Sequence, residues 1–124
     1  MSNASEVGNR LVELCSKGEN MKAIQELYSD DIVSVEACEM GDMPRTLEGI
    51  DAVKGKNEWW MENHEVHSGE AQGPYPHGED RFALTFSYDV TNKPSGNRMQ
   101  MNEVGVFTVA DGKIVKEEFF YQMG

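Results

Sequence analysis

Two glutamates in otherwise apolar, strand-like segments and one histidine of a short predicted strand have the residue types that proton chemistry requires. Glu36 lies in the segment Val-Ser-Val-Glu-Ala-Cys, and Glu103 lies between Met101 and the apolar stretch 104–107. A carboxyl group against an apolar wall has a raised pKa and can then act as a general base or acid near neutrality. His67 has the same capacity because an imidazole ordinarily titrates close to neutral pH. We therefore take Glu36, Glu103 and His67 as the candidate catalytic residues.

A pair of adjacent glutamates, Glu117 and Glu118, precedes the segment Phe-Phe-Tyr at 119–121. Neighbouring residues of a strand point to opposite faces, so one of the two faces inward. Apolar residues lie on both faces of this segment, and the pattern leaves the choice between Glu117 and Glu118 open. A lone strand glutamate is more often solvated than buried, since unpaired glutamates are almost never fully buried.

The candidate substrate-binding residues combine hydrogen-bonding groups with apolar surface. A tyrosine hydroxyl can donate a hydrogen bond to a carbonyl oxygen, and methionine offers an adaptable apolar lining. The more common role of a tryptophan, tyrosine or methionine is simple packing in a core. The set comprises Tyr28, Trp60, His64, Met101, Glu118 and Tyr121.

The spacing His64-Glu65-Val66-His67 would place two imidazoles on one helix face, where they could bind a metal ion. The predicted helix ends at this point, however, and no third ligand follows at a fixed spacing. We expect no metal here. Glycine-rich phosphate loops and nucleophile-elbow motifs are also missing from the sequence, so we expect no cofactor.

Hydrophobic periodicity and turn residues predict three helices and five strands. The strand 81–91 alternates most clearly, with Phe82, Leu84, Phe86 and Tyr88 on one face. Asp111-Gly112 is a typical hairpin turn between two apolar strands. The predicted helices are 3–17, a short helix that begins at Asn20, and about 50–64. The predicted strands are 32–38, 66–71, 81–91, 98–109 and 114–122. Residues 39–49 are predicted to form a loop, and residues 73–78 a turn-rich connection.

This order of elements predicts an α+β fold, since helices come first and consecutive antiparallel strands follow. We expect the N-terminal helices to pack in the concave face of a curved, mostly antiparallel sheet. One end of such a cone is closed by side chains, and the other can hold a pocket.

Three segments resemble the SnoaL-like proteins of the nuclear transport factor 2-like superfamily, also described as cystatin-like. They are Met-Asn-Glu-Val-Gly-Val-Phe-Thr-Val-Ala-Asp-Gly-Lys-Ile-Val at 101–115, Leu-Tyr-Ser-Asp-Asp-Ile-Val at 27–33 and Leu-Glu-Gly-Ile-Asp-Ala-Val at 47–53. Their order and spacing extend the resemblance over nearly the whole chain, as one domain of residues 1–124. The resemblance implies a conical α+β barrel that forms a homodimer through its sheet.

Members of this superfamily include polyketide cyclases, ketosteroid isomerases and dehydratases, and their base is commonly Asp, or Asp paired with His, on the sheet. Here Gly105 and Phe119 stand at plausible equivalents with glutamates beside them, so no dyad transfers residue by residue. The resemblance implies cofactor-free proton transfer on a small, mostly apolar carbonyl compound in a buried pocket. The alternative is a non-catalytic module of the same fold that binds a small ligand or forms a dimer.

Composition limits the partners that we expect. The 124 residues carry a formal net charge of −11, which repels nucleic acid and anionic membrane surfaces. The first ten residues lack the basic start and apolar stretch of a secretory signal, so we expect a cytoplasmic protein. Cys15 and Cys38 have no CxxC spacing, and we expect them to be buried thiols and not a disulfide.

Overall fold

A computed structural model describes residues 3–39 and 42–121 of the chain. The helices are α1 (Ala4–Ser16), α2 (Asn20–Leu27) and α3 (Ile50–Asn63); the strands are β1 (Tyr28–Val35), β2 (Thr46–Glu48), β3 (His64–His77), β4 (Arg81–Asn92), β5 (Arg98–Ala110) and β6 (Lys113–Phe120).

The six strands form one sheet in the order β2-β1-β6-β5-β4-β3. Strands β1 and β6 pair in parallel, and the other neighbouring pairs are antiparallel. The short strand β2 and the long strand β3 are the two edges, so the curved sheet does not close into a complete barrel. The α+β prediction is confirmed. Among the described residues, every helix is too short or too polar to cross a bilayer.

Helix α1 forms as its sequence predicts. The side chain of Asn3 caps it by accepting a hydrogen bond from the backbone N–H of Glu6 at 2.9 Å. Val7, Leu11 and Leu14 are buried and form its inner stripe. Since the stripe lies against the sheet, α1 closes one end of the concave space.

The inner face of the sheet carries the core. Phe82, Leu84 and Phe86 alternate along β4 and are buried, as the pattern predicts. Phe82 stacks on Phe107 of β5 with ring centroids 5.1 Å apart. Gly105 makes room for these rings, because a Cβ atom there would lie only 2.8 Å from Cε1 of Phe107. This end of the cone is therefore filled by side chains.

Several element boundaries differ from the sequence-based expectation. Strand β1 begins at Tyr28 and ends at Val35, whereas 32–38 was expected, and β2 lies inside the expected loop 39–49. Strand β3 runs through the expected turn at 73–78, with a register shift between Gln72 and Tyr75 around Pro74. An edge strand tolerates proline because one side of its backbone needs no partner. The last expected strand residue, Gln122, lies outside the described residues.

Candidate functional site

The register of the sheet brings two glutamates onto its inner face. Phe86 of β4 pairs with Glu103 of β5, and Phe107 of β5 pairs with Glu117 of β6. Cross-strand partners share a face, and Phe86 and Phe107 both face the core. Ser34 of β1 pairs in turn with Glu117. Glu103, Glu117 and Ser34 therefore point into the same concave space.

Six side chains along this space form a continuous set of hydrogen bonds, which we call the buried polar chain: Tyr28, Glu117, Ser34, Lys56, Glu36 and Tyr121. At one end the hydroxyl of Tyr28 donates to Oε1 of Glu117. Ser34 Oγ donates to Oε2 of Glu117 at 2.7 Å. At the other end the hydroxyl of Tyr121 donates to Oε2 of Glu36 at 3.0 Å.

Lys56 of α3 joins the two halves of the buried polar chain. Its Nζ donates to Ser34 Oγ at 2.6 Å and to Oε1 of Glu36 at 2.8 Å. The same nitrogen lies 3.7 Å from Oε2 of Glu117 and 5.1 Å from the centroid of the Phe119 ring. Lys56 is 8% exposed and Glu117 only 2%. One buried ammonium group thus neutralises parts of two carboxylates at once.

Glu103 lies beside this chain without joining it. Among residues 3–39 and 42–121, its carboxyl group makes no side-chain hydrogen bond and no ion pair. Burial raises its pKa, as do the charges of Glu36 and Glu117, while Lys56 opposes the rise; the resulting pKa is about 7. Near neutral pH, Glu103 is therefore divided between its protonated and ionised forms.

A cluster of aromatic rings extends from the C-terminal end of α3 to Phe86, the register partner of Glu103. Trp60 stacks on His64 with centroids 4.5 Å apart and contacts Tyr88 at 5.9 Å. The Tyr88 ring stacks on Phe86 at 6.0 Å, and Phe86 meets Phe119 at 6.4 Å. Burial on this face is the largest cause of the raised pKa of Glu103.

Burial also keeps the nearby thiol and phenol groups protonated. The pKa of Cys15 is raised to about 12 by burial and by the charge of Glu117. The pKa of Tyr28 rises through burial and its contact with Glu117. Cys15 is a free thiol, as expected, and it lacks the lowered pKa of a reactive cysteine.

Besides Glu103, four of the predicted site residues lie on or beside this inner face. Glu36 and Tyr121 belong to the buried polar chain, and Tyr28 ends it. Met101 is the register partner of Tyr88. It precedes Glu103 by two residues on β5 and therefore lies on the same face of the sheet. Their roles in catalysis or binding stay predictions.

The two predicted histidines are not beside the carboxylates. His67 lies exposed on the edge strand β3, where its Nε2 is 2.7 Å from Oγ1 of Thr91. His64 follows the last residue of α3, its Nδ1 2.8 Å from the backbone oxygen of Trp60. The structure brings His64 into the aromatic cluster and leaves His67 outside it.

Glu118 needs a correction, because it does not face the concave space. It pairs with Val106, whose side chain points to the outer face, and its carboxylate lies 3.3 Å from Nζ of Lys116. Glu117 is the inward glutamate. The choice depends on the register between β5 and β6, which places Glu117 opposite Phe107.

Lys56 and Ser34 are site residues that sequence reasoning missed. Lys56 follows the buried Val53 by three residues and precedes Trp60 by four, so helical spacing already places it on the inner side of α3. Ser34 alternates with Ile32 and Glu36, which are also buried. Because a lysine side chain is usually solvated, the helical spacing of Lys56 was not taken as evidence that it is buried.

Two open grooves lie along strands β3, β4 and β5. One, of about 340 Å³, is lined by Phe86 and Glu103 together with Glu70, Gln72, Asn102 and Phe120, among others. The other, of about 410 Å³, adjoins it at Glu70 and Ser87. The pocket expected at the open end of the cone is not among these grooves. Within the described part of the chain, no three histidine, cysteine or acidic side chains are placed to hold a metal ion.

Comparison with known proteins gives a family match and several similar structures. A family model described as a SnoaL-like domain matches residues 1–121. A crystal structure from Mesorhizobium loti, of a protein named as a candidate SnoaL-like polyketide cyclase and also as a carbohydrate phosphatase, is 44% identical. That alignment covers 98% of this chain and 100% of the other, with a TM-score of 0.90.

Two more distant structures share the fold. A protein of unknown function with a cystatin-like fold from Xanthomonas campestris is 17% identical, with a TM-score of 0.80 over 98% of this chain and 92% of that one. A candidate SnoaL-like polyketide cyclase from Jannaschia is 18% identical, with a TM-score of 0.72 over 93% and 82%. No curated protein sequence matches the chain.

Replacing Lys56 by methionine should destabilise the fold strongly. The variant leaves Glu36 and Glu117 buried without their shared cation, and such a loss costs about 3–5 kcal/mol. Lys54 lies on the same helix and forms no ion pair in the described part of the chain, so Lys54→Met is the matched control. Urea denaturation should show a lowered free energy of unfolding for Lys56→Met and a change within about 0.5 kcal/mol for the control. Equal effects of the two substitutions would contradict this interpretation of the buried polar chain.

Proposed function

Because this chain belongs to the SnoaL-like domain family, we propose that it catalyses cofactor-free proton transfer on a small, mostly apolar carbonyl compound. Glu103 is the general base in this proposal. The observation that carries it is the unpaired carboxyl group of Glu103, with a pKa of about 7, beside two carboxylates that are already bonded.

A general base works best when its pKa lies near the working pH, since it must be ionised to accept a proton and then release it readily. Glu36 and Glu117 are poorer bases because Lys56, Ser34 and the two tyrosines occupy their oxygens. Glu103 combines free oxygens with apolar surroundings. This division supports Glu103 as the reacting group.

The proposed reaction begins at a carbon next to the substrate carbonyl. The C–H bond breaks, its proton goes to Glu103, and the electron pair moves onto the carbonyl oxygen to form an enolate. Isomerisation follows if Glu103 returns the proton at another carbon, and cyclisation follows if the enolate carbon attacks a second carbonyl. The polyketide cyclase name of the Mesorhizobium loti relative supports this class of reaction.

A non-catalytic binding module is the second candidate function, and the complete bonding of the buried polar chain favours it. In the described part of the chain, no side-chain nitrogen or oxygen that is completely shielded from solvent lacks a hydrogen-bond partner. On this hypothesis, the chain stabilises the fold while Glu103 only orients a ligand. The cation that pairs with the inward carboxylates of Glu36 and Glu117 is Lys56. Two arginines bond elsewhere: Arg98 pairs with Asp89, and Arg45 donates to the backbone oxygen of Glu36.

We also propose that two copies of the chain associate through the outer face of the sheet. Val104 and Phe120 are register partners there and are 37% and 54% exposed. Adjacent exposed apolar side chains on a sheet face are typical of an interaction surface. A second copy of the same face would bury both.

The catalytic proposal predicts exchange of carbon-bound hydrogen. In deuterated water, the protein should speed deuterium uptake by cyclohexanone or tetralone, as followed by NMR, and the rate should rise through about pH 7 as Glu103 ionises. Glu103→Gln should lower the rate about a hundredfold. Glu118→Gln removes an outward carboxylate and should leave the rate unchanged. If the rate of Glu103→Gln matches that of the unaltered protein, Glu103 is not the base; ketone binding without exchange would favour the module.

The dimer proposal predicts a mass near twice 13.9 kDa in sedimentation at micromolar concentration. Phe120→Lys places a charge in the apolar contact and should shift the sedimenting species towards the monomer. Tyr75→Lys, which alters another exposed aromatic residue on the edge strand β3, serves as the control. A monomer for the unaltered protein would reject the proposal.

A further inference from the structure

Helix α3 contacts the inner face of the sheet at two points. Lys56 and Trp60 lie four residues apart, so they occupy the same face of the helix. Nζ of Lys56 is 5.1 Å from the ring centroid of Phe119 on β6. The Trp60 ring contacts that of Tyr88 on β4 at 5.9 Å. One side of α3 therefore extends from β6 to β4 and crosses β5, which lies between them.

Glu103 lies between these two contact points on the sheet. Phe119 is the register partner of Gly105, and Tyr88 is the register partner of Met101. Glu103 is midway between Gly105 and Met101 on β5 and shares their face. Because the two contacts of α3 fall on either side of this position, the helix lies over Glu103 and contributes to its burial.

Few apolar side chains hold α3 in this position. Within Ile50–Asn63, Val53 is the one apolar residue that is buried, and the other buried residue is Lys56. Trp59 and Met61 are exposed, whereas α1 buries a continuous apolar stripe. A helix in a protein is stabilised mainly by the packing of an apolar face. The attachment of α3 therefore depends on the ion pairs of Lys56 to an unusual degree.

The charges under α3 are unevenly matched. Three carboxyl groups, those of Glu36, Glu103 and Glu117, face the same space. One ammonium group, that of Lys56, contacts Glu36 at 2.8 Å and Glu117 at 3.7 Å. When Glu103 ionises, a third negative charge joins this group, and burial together with the two other carboxylates outweighs the attraction of Lys56 for it. Ionisation of Glu103 therefore weakens the packing of α3 against the sheet.

The remaining titratable groups around the concave space stay neutral near pH 7. Burial raises the pKa of the phenols and of the thiol, so none of them ionises in this range. On β3 the inner positions Gly69 and Ala71 carry no charge. His64 at the end of α3 can gain a proton and is therefore kept in every variant below. The neutral groups are Cys15 of α1, Tyr28 of β1, Tyr88 of β4 and Tyr121 after β6.

We propose that α3 is a pH-controlled lid over the concave space, which lifts from the sheet when Glu103 ionises and closes when Glu103 is protonated; its role as the entrance for a substrate rests on the proposed function. The open form lets water reach the ionised carboxylate, which removes the cost of keeping that charge buried. In the closed form α3 covers Glu103, so a ketone reaches it only when the lid lifts. One ionisation thus prepares the base and opens the path to it.

The direction of the pH dependence follows from the pKa of Glu103 in the two forms. In the closed form it is about 7, and in the open, solvated form it returns to the ordinary value of 4.5. The closed form binds the proton more tightly, so it is most favoured below pH 4.5 and loses this advantage as the pH rises to 7. From pH 5 to pH 8 the ratio of open to closed molecules should rise about 70-fold.

Backbone hydrogen–deuterium exchange of the full chain, measured by mass spectrometry at pH 5 and pH 8, tests the lid without any substrate. After correction for the intrinsic pH dependence of exchange, the protection of the α3 amides should fall about 70-fold between the two pH values. The amides of α1 are the internal control, because its buried apolar stripe does not depend on these charges. Their protection should stay constant. Equal losses in α1 and α3 would show unfolding of the whole molecule and would overturn the lid.

Two variants assign the effect to Glu103. Glu103→Gln keeps the shape of the side chain and removes its charge, so α3 should stay protected at both pH values. Glu118→Gln removes an outward carboxylate and should preserve the loss of protection at pH 8. Persistence of the pH dependence in Glu103→Gln, or its absence in the unaltered protein, would overturn the lid.

The lid and the proposed function fail separately. Constant protection of α3 in a protein that exchanges carbon-bound hydrogen of cyclohexanone would overturn the lid and leave Glu103 as the base. A pH-dependent lid in a protein that exchanges no ketone hydrogen would overturn the proposed function and leave α3 as a lid over a binding space.

Discussion

The pairing of one buried lysine with two glutamates is the interaction on which the concave side of the molecule depends. Lys56 comes from α3, Glu36 follows β1 and Glu117 comes from β6, so the ion pairs join three separate parts of the chain. Removing charges from water is costly, and close ion pairs offset this cost only when further hydrogen bonds satisfy the remaining oxygens. Ser34, Tyr28 and Tyr121 supply those bonds.

The concave space contains more carboxyl groups than ammonium groups, and this imbalance of charge determines the properties of the site. Three carboxyl groups share the space with one ammonium group, and Glu103 is the carboxyl that makes no direct contact with it. The charges of Glu36 and Glu117 disfavour ionisation of Glu103, as does its burial. A stable structural cluster thus creates the conditions for a reactive carboxyl group beside it.

Much of the fold and part of the site could be predicted from the sequence. Alternation along β4 identified its buried face, Asp111-Gly112 identified the hairpin between β5 and β6, and strand parity placed Glu103 with Gly105 and Phe107. These features depend on local periodicity, which is written directly in the order of residues.

Features that depend on pairing between distant segments could not be predicted. The inward direction of Glu117 follows from its register with Phe107, since apolar residues on both sides of β6 gave no preference. The passage of β3 through Pro74 follows from its position at the edge of the sheet. Lys56 satisfies the helical spacing of an inner residue, but only the opposing Glu36 and Glu117 explain why a charged side chain is buried there.

The ionisation of Glu103 is the property that tests this account most directly. Carbon-13 NMR of the glutamate side-chain carboxyl groups, with Glu103 assigned by comparison with Glu103→Gln, gives its pKa without any substrate. We expect a titration midpoint near pH 7 for Glu103. A midpoint at the ordinary glutamate value of 4.5 would show that the carboxyl group is solvated or paired, and would contradict its role as the base.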